Sequence, residues 1–521
     1  MTMKHEARED RPPKALRKKA TTGVAWSFLR EGIAEVLLFP ASMVLARLLT
    51  PQEFGIAAAA NFFSQLAGRL AELGFNAALV RAKEIRPIHL STVFVVSLVL
   101  GIVKFGVLFA AAPLVNAFYG ISEPGNIVRV AAFAFLIGPF GGVPGAILAR
   151  NFQYRKIAIV ESAHLVVFSL TSVLLAWLGF SYMSMIYGRL AGSVTTVVMR
   201  MAYARWRPSL RFSWPVLREI LSFGSGFHVK RLLDYTAQQG DNVVVGKLLG
   251  MTALGFYDKA FSTMNRFLAR MTGGPGVMFR IFAVIHEEPE RFRRAYQKMV
   301  MSSSLLGFPV FAGLIVTAPQ LIVVLFGDQW AASVAPFRLL CVAGTLKLLN
   351  TYASSVIQAT GRVWSEVWRQ MVLIALTVGG IMAFGAWGPT GAAAGVLLAT
   401  TVMGVLMHSL LRRIANLRWS EVLQPLTPAL LCSGGVAGTA LLVEAVLNAI
   451  YPAPRPWLLL VCQVSLTALF GVLFVLFAPF QELRIVVRDV TKDLAPPFIR
   501  RQAWAQAYWK KSIEDVEMQS A

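Results

Sequence analysis

Charge is scarce in this chain, and negative charge is the scarcer sign. Charged residues make up 15% of the 521, with 27 acids against 50 lysines and arginines. A soluble chain carries roughly a quarter charged residues, so the deficit excludes a sizeable water-soluble domain. Cysteine is nearly absent. Cys341, Cys432 and Cys462 all fall in apolar runs and an odd number cannot pair completely, so no disulfide is expected. Catalytic signatures are missing as well. No G-x-x-x-x-G-K-S/T loop is present to cradle phosphates, which excludes an ATPase within the chain. There is no H-E-x-x-H, no G-x-S-x-G and no zinc-spaced Cys/His set. No catalytic residue, metal centre or organic cofactor is expected, and a non-enzymatic role follows. The connecting segments 50–55, 116–126, 179–184, 250–255, 326–333, 387–391 and 447–457 are short. Chemistry on that face of a membrane would need a folded loop, and none has room to form.

What fills the chain is apolar sequence. Hydrophobic residues make up 56%, and the mean hydropathy is +0.60. Runs long enough to span a bilayer recur along nearly the whole length. They centre near residues 35, 66, 103, 138, 168, 193, 231, 265, 312, 345, 376, 402, 435 and 468, about fourteen in all. Hydrocarbon offers backbone groups no water, so such runs must be helices, and the short alternating segments of a β-barrel are not visible. The expected class is an all-α integral membrane protein.

The net charge of +23 is a topology signal, not a nucleic-acid footprint. When the connecting segments are assigned alternately to two sides, one side holds 35 of the 50 basic residues and the other holds only Arg455. The rest lie in or at the ends of spans. This asymmetry is the positive-inside rule, and it puts both termini in the cytoplasm. The same basic surface attracts anionic lipid. Lys14 to Lys19 precede a long first span without a small-residue cleavage site, so no cleavable signal peptide is expected.

An internal repeat divides the chain. Arg47-Leu48-Leu49 returns as Lys247-Leu248-Leu249, and Gly55 and Ala60 return as Gly255 and Ala260, all at an offset of 200. Ile147, Ala149, Tyr154 and Ile157 fall on Ile357, Ala359, Trp364 and Val367 at an offset of 210. Two copies of one membrane module are the organisation of a secondary transporter. The expected domains are a basic cytoplasmic tail (1–20), an N-lobe of six spans (21–206), a cytoplasmic linker (207–217), a C-lobe of six spans (218–415), a final pair of spans outside the repeat (420–480) and a basic tail (481–521). With two lobes in one chain, a monomer suffices. Helix breakers occur inside spans: Pro40 in the first, the run Gly138 to Gly145 interrupting the fourth, Gly224 and Gly226 opening the seventh, and Gly273 to Gly276 interrupting the eighth. They serve either bending or close packing through small residues.

Polar residues inside the spans carry the chemical information, because each costs a few kcal/mol against lipid. They form stripes. Ser27, Arg30, Glu31 and Glu35 share a face of the first span; Asn61, Gln65, Arg69 and Glu72 share one of the second. Arg231, Asp234, Gln238 and Asp241 line the seventh with Lys230 beside them, and Lys259, Arg266 and Arg270 line the eighth. These are the first two spans of each half. The simplest geometry is a central cavity between pseudo-symmetric lobes, in which Arg30, Arg69, Lys230, Arg231, Lys259, Arg266 and Arg270 outnumber the acids Glu31, Glu35, Glu72, Asp234, Asp241 and Asp258. Such a cavity fits an anionic cargo such as a diphosphate, which arginine meets with two parallel bonds. Internal pairing of Arg30 with Glu31 or Glu35, of Arg69 with Glu72 and of Lys230 with Asp234 is the alternative. Glu31, Glu35, Asp234 and Asp241 are the candidates for coupling to H⁺ or Na⁺. Arg47 and Lys247 lie at span ends and are expected to snorkel. Glu161 and His164 lie at i and i+3 in the fifth span; Lys104, Arg189, Arg338, Lys347, Glu366, Arg369, His408 and Glu444 read as isolated, and a lone membrane histidine is more often a hydrogen-bonded packing residue than a proton carrier.

Three strings resemble a known family: Gly23-Val24-Ala25-Trp26-Ser27, then Leu45 to Gly55 (LARLLTPQEFG), then Leu73 to Val80 (LGFNAALV). Together with Gly255-Phe256-Tyr257-Asp258-Lys259-Ala260, they are similar to the Wzx-type polysaccharide flippases of the multidrug/oligosaccharidyl-lipid/polysaccharide exporter superfamily. The resemblance implies a bacterial inner-membrane transporter of twelve to fourteen helices working by alternating access. It implies an undecaprenyl-diphosphate-linked oligosaccharide as cargo, carried to the periplasmic leaflet for O-antigen, capsule or exopolysaccharide synthesis. Polysaccharide polymerase and chain-length machinery are candidate partners. In the related lipid II flippases an Arg and an adjacent acid stand in the first helix, which implies a place for Arg30-Glu31. The final helix pair also resembles theirs. A multidrug exporter of the same superfamily is the alternative, and its cationic drugs would suit an acidic cavity better than a basic one. Active alkaline phosphatase inserted beside Arg455, with fluorescent reporters maturing at both termini, is the expected topology result; an inactive insertion there would overturn the assignment of sides.

Overall fold

The computed structural model describes residues 14–70, 79, 85–221, 228–272, 275–361, 363–451 and 454–477, with backbone alone for 14–25, 27–31, 70, 220–221, 228–234, 275 and 363–364. No strand occurs among the described residues. The chain is an all-α membrane protein. It packs as two units, residues 1–236 and 237–521, each with its own core.

The first unit contains α1 (Lys14–Leu48), α2 (Pro51–Leu70), α3 (Pro87–Tyr119), α4 (Glu123–Arg150), α5 (Tyr154–Trp177), α6 (Met183–Ala204) and the short α7 (Trp214–Leu221). At ~1.5 Å per residue, α1 is long enough to cross a bilayer and project beyond it. The turn into α2 is a capping box. The Thr50 backbone N–H donates to Glu53 Oε2 at 2.6 Å, and the Glu53 N–H reaches back to Thr50 Oγ1 at 3.4 Å. Glu53 also accepts from Ser181, tying this turn to the α5–α6 connection. Trp206, Val216 and Leu217 pack on the cluster of Leu79, Val93, Phe94, Val143 and Ala146, so the 207–217 segment lies against this unit.

Expected breaks are absent in two helices. α1 passes through Pro40, and α4 runs unbroken through Pro139 and Pro144. The glycines of α4 serve packing instead: Gly141 lies against Val197, and Gly145 against Arg200, both on α6. Gly188 and Gly192 likewise bring α6 onto Ser172 and His164 of α5. This is small-residue packing, the means by which membrane helices gain dispersion energy when burial from water offers no drive.

The second unit contains α8 (His228–Met271, whose first turns pack with the first unit), α9 (Pro275–Ile285), α10 (Pro289–Val316), α11 (Ala318–Phe326), α12 (Val334–Ala359), α13 (Val363–Phe384), α14 (Gly388–Ile414), α15 (Trp419–Leu423), α16 (Thr427–Ile450) and α17 (Pro456–Phe477). α8 is two helices meeting at Gly250, whose φ of 85° and ψ of 173° suit glycine alone. Gly250 stands 200 residues after Thr50, so the two copies turn at the same place, one by a capping box and one by a left-handed glycine. The second repeated block behaves the same way. α4 gives way to α5 between Arg150 and Tyr154, and α12 to α13 between Ala359 and Val363.

Eight segments among the described residues are long and apolar enough to span a membrane, one of them (365–414) running through both α13 and α14. The later part of α8 passes with α9 as a pair bent by 48°. With α8 counted as two, the long helices are compatible with about fourteen spans. α13 and α14 touch backbone to backbone: a Cβ on Gly395 would lie 2.5 Å from the Gly380 carbonyl carbon. Gly395→Ala is therefore expected to cost ~1–3 kcal/mol by forcing the helices apart. Gly434→Ala, with open space around it, should be near neutral. Thermal unfolding in detergent checks the pair, and equal melting temperatures would contradict the contact.

Candidate functional site

The first unit encloses a cavity of about 520 Å³ between α1, α2, α4, α5 and α6. Its polar wall is formed by Ser64, Gln65, His164 and Arg189, and Phe135 and Phe168 supply aromatic surface. Arg189 is held in place by a hydrogen bond from its guanidinium to Asn61 Oδ1 on α2. His164 Nδ1 lies 3.1 Å from Thr196 Oγ1, which fits the packing role expected of a lone membrane histidine. No carboxylate belongs to the described lining.

Beside this wall stands Tyr235. Its ring stacks on Phe62 at 5.6 Å, and its hydroxyl donates to the Phe62 carbonyl at 3.3 Å. The Arg69 guanidinium lies 4.6 Å from the Tyr235 ring centroid, a cation–π contact, and its buried Nε–H has no hydrogen-bond partner among the described residues. Arg69 is thus met by a tyrosine ring and Arg189 by an asparagine amide oxygen, and among the described residues neither contacts a carboxylate. A buried cation with neutral neighbours is what an anion-binding wall requires.

The second unit buries a different cluster. Asp241, 6% exposed, accepts a hydrogen bond of 2.6 Å from the fully buried Tyr257 hydroxyl and one of 3.0 Å from the Asn242 N–H. Lys347 on α12 is its electrostatic counterpart. The Lys347 ammonium lies 4.4 Å from the Phe261 ring centroid. Asn242 donates to Gln239 Oε1 at 3.1 Å and to Asp258 Oδ1 at 3.4 Å. Lys259 is buried, with its ammonium over Phe326 at 4.5 Å and Trp330 at 4.9 Å.

The predicted stripes therefore divide. Arg69 joins the guanidinium pair of the first unit. Asp241 and Lys259 lie in the second unit's buried cluster, and Arg266 is half-buried on the same helix. Arg270 is exposed and Glu35 half-buried. The side chains of Arg30, Glu31, Glu72, Lys230, Arg231 and Asp234 lie outside the described residues. Arg47 and Lys247 are exposed at helix ends. Two contributors were read as isolated: Arg189, which belongs with Asn61 and Arg69, and Lys347, which belongs with Asp241. Their signal in the sequence was a cation in an apolar span; their partners were invisible because each lies on a helix distant in sequence. Tyr257 stood in a quoted string without a role.

Tyr257→Phe is expected to destabilise by ~1–3 kcal/mol, leaving Asp241 short of a donor. Asp241→Asn should cost more, and adding Lys347→Met should recover part of that loss, because the lysine is then no longer left without its acid. A double-mutant cycle read by thermal unfolding checks this. Strict additivity would dissolve the pair.

Comparison with known proteins adds three findings. Residues 44–335 match the family described as polysaccharide biosynthesis protein. The chain is 25% identical over 408 residues to the lipopolysaccharide biosynthesis protein WzxC of Escherichia coli (strain K12), covering 76% of this chain and 81% of that one. It is 27% identical over 380 residues to the succinoglycan biosynthesis transport protein ExoT of Rhizobium meliloti (strain 1021), covering 71% and 75%. Among solved structures, the lipid II flippase MurJ in an inward closed conformation shares the fold, with a TM-score of 0.68 at 11% identity over 90% of this chain and 99% of that one.

Proposed function

The chain belongs to the polysaccharide biosynthesis protein family, and from that premise we propose that it is a flippase for a lipid-linked oligosaccharide. It moves an undecaprenyl-diphosphate-linked glycan from the cytoplasmic to the periplasmic leaflet of a bacterial inner membrane. The transport named for ExoT and the lipopolysaccharide synthesis named for WzxC support this reading. So does the fold shared with a lipid II flippase.

The observation that carries it is the pair Arg69 and Arg189, two membrane-embedded guanidinium groups with neutral described partners beside a cavity without described acids. A diphosphate or another anionic oxygen group supplies what that wall lacks. Each guanidinium presents a planar fork that matches phosphate or carboxylate oxygens. Arg30, Lys230, Arg231, Lys259, Arg266 and Arg270 are the further candidates for cargo contact. Glu31, Glu35, Asp234 and Asp241 are the candidates for coupling to H⁺ or Na⁺. Mutual repulsion of the cations disfavours the empty closed state, and the cargo relieves it, so binding shifts the population towards closure. The polyprenyl tail stays in lipid while the sugar passes through the polar interior. Polymerase and chain-length machinery receive the product.

The test is leaflet sidedness of the lipid-linked oligosaccharide in cells lacking the protein. Cytoplasmic accumulation is expected, reversed by the wild type. Arg189→Met at matched membrane levels should flip at least about tenfold more slowly, the worth of one charge-assisted hydrogen bond, with Arg189→Lys intermediate. Normal periplasmic glycan in the null, together with altered susceptibility to toxic small molecules, would replace this reading with a multidrug exporter.

A further inference from the structure

The final helix pair lies outside the repeat and contributes nothing to the two clusters above, yet it holds a half-buried carboxylate inside an apolar span. Glu444 on α16 faces Gln463 on α17 and Gln320 on α11. Gln463 Nε2 donates to Glu444 Oε2 at 3.4 Å and to the Ala440 carbonyl at 3.2 Å, and Gln320 Nε2 donates to Glu444 Oε1 at 3.4 Å. Gln463 is 0% exposed and Gln320 9%. No lysine, arginine or histidine contacts Glu444 among the described residues. Among the described residues the acid is met by two amides, at distances longer than the ~2.9 Å of an ordinary N–H···O bond. Both glutamines also leave a buried Oε1 with no hydrogen-bond partner. Buried amide oxygens are seldom left so, and here two belong to the same small cluster.

An amide turned about its last bond exchanges oxygen for nitrogen, and hydrogen bonding alone decides between the two orientations. Turned over, Gln463 and Gln320 present Oε1 to Glu444 and their N–H groups outward. The cluster then consists of two carboxylate oxygens, two amide oxygens and the Ala440 carbonyl. All are hard donors from three separate helices. Oxygens bound to a hard cation at ~2.4 Å and subtending a right angle lie ~3.4 Å apart, the spacing already found between Glu444 and each glutamine. The set carries one negative charge. A divalent ion would leave a net positive charge in apolar surroundings, where charge is costly; a monovalent ion leaves none.

The geometry points to a monovalent-cation site, of the Na⁺ class, formed by Glu444, Gln463 and Gln320. Its ion neutralises Glu444 and fastens α16 and α17 to α11 of the same unit. The site is separate from the cationic wall of the first unit and from Asp241, and it rests on neither the cargo nor the direction of transport.

The test uses the purified full-length protein in detergent. Its melting temperature is followed as NaCl replaces choline chloride at constant ionic strength. A ligand that binds only the folded state raises the melting temperature with concentration, so the wild type should be stabilised by Na⁺ and not by choline. Glu444→Gln should abolish the response. Gln463→Leu and Gln320→Leu should each shift the apparent affinity by at least about tenfold, while Gly434→Ala, with open space around it, should keep it. Should Glu444→Gln fail to fold, the two glutamine variants and radioactive Na⁺ binding to the wild type carry the test. A wild type indifferent to Na⁺ overturns the proposal, as does a Glu444→Gln response equal to the wild type. A melting temperature that follows pH but not Na⁺ would assign the place to a proton. A flat Na⁺ response would leave leaflet sidedness unaffected, and a failed sidedness assay would leave the Na⁺ response standing.

Discussion

A charge in the middle of an apolar helix has to be met by something, because hydrocarbon supplies neither water nor counter-ion. That constraint sorts the interior of this protein. Asp241 is met by hydrogen bonds from Tyr257 and Asn242, with Lys347 as its electrostatic counterpart. Glu444 is met by two amides and by no cation among the described residues. Arg69 and Arg189 are met by an aromatic ring and a neutral side chain. The first arrangement holds helices together. Among the described residues the other two keep a charge unbalanced, and an unbalanced charge inside an apolar span is where a small ion or an anionic cargo has something to gain by binding.

The same constraint explains the packing. Burial from water does not drive helix against helix in a bilayer, so close approach has to come from shape. Gly188 and Gly192 lay α6 on α5, Gly141 and Gly145 lay α4 on α6, and Gly380 meets Gly395 between α13 and α14. Glycines that suggested breaks in the sequence are, in α4, the means of contact. The prolines beside them leave the helix continuous. Where the chain does need a turn, at residues 50 and 250, the two copies use different chemistry for the same geometry: side-chain capping in one, a left-handed glycine in the other.

The two units bury different chemistry. The first unit holds a cavity with a cationic, hydrogen-bonded wall. The second holds acids in hydrogen-bonded clusters, with aromatic rings under Lys259 and Lys347.

Much of this was legible in one dimension. The membrane class, the helical character and the repeat at an offset of 200 follow from composition and periodicity, because a bilayer imposes the same demand on every span and leaves its mark in every stretch of sequence. Arg69 and Asp241 were marked as chemically significant by their position alone. Which residues meet them was decided only in three dimensions. Asn61 and Arg189 are 128 residues apart, and Asp241 and Lys347, or Gln320 and Glu444, are brought together only by helix packing. A stripe on a helix records that something polar must face it. The identity of that partner depends on which helix packs alongside and at what rotation, and these are set by the small residues and side-chain shapes of the whole lobe rather than by the period of any one segment.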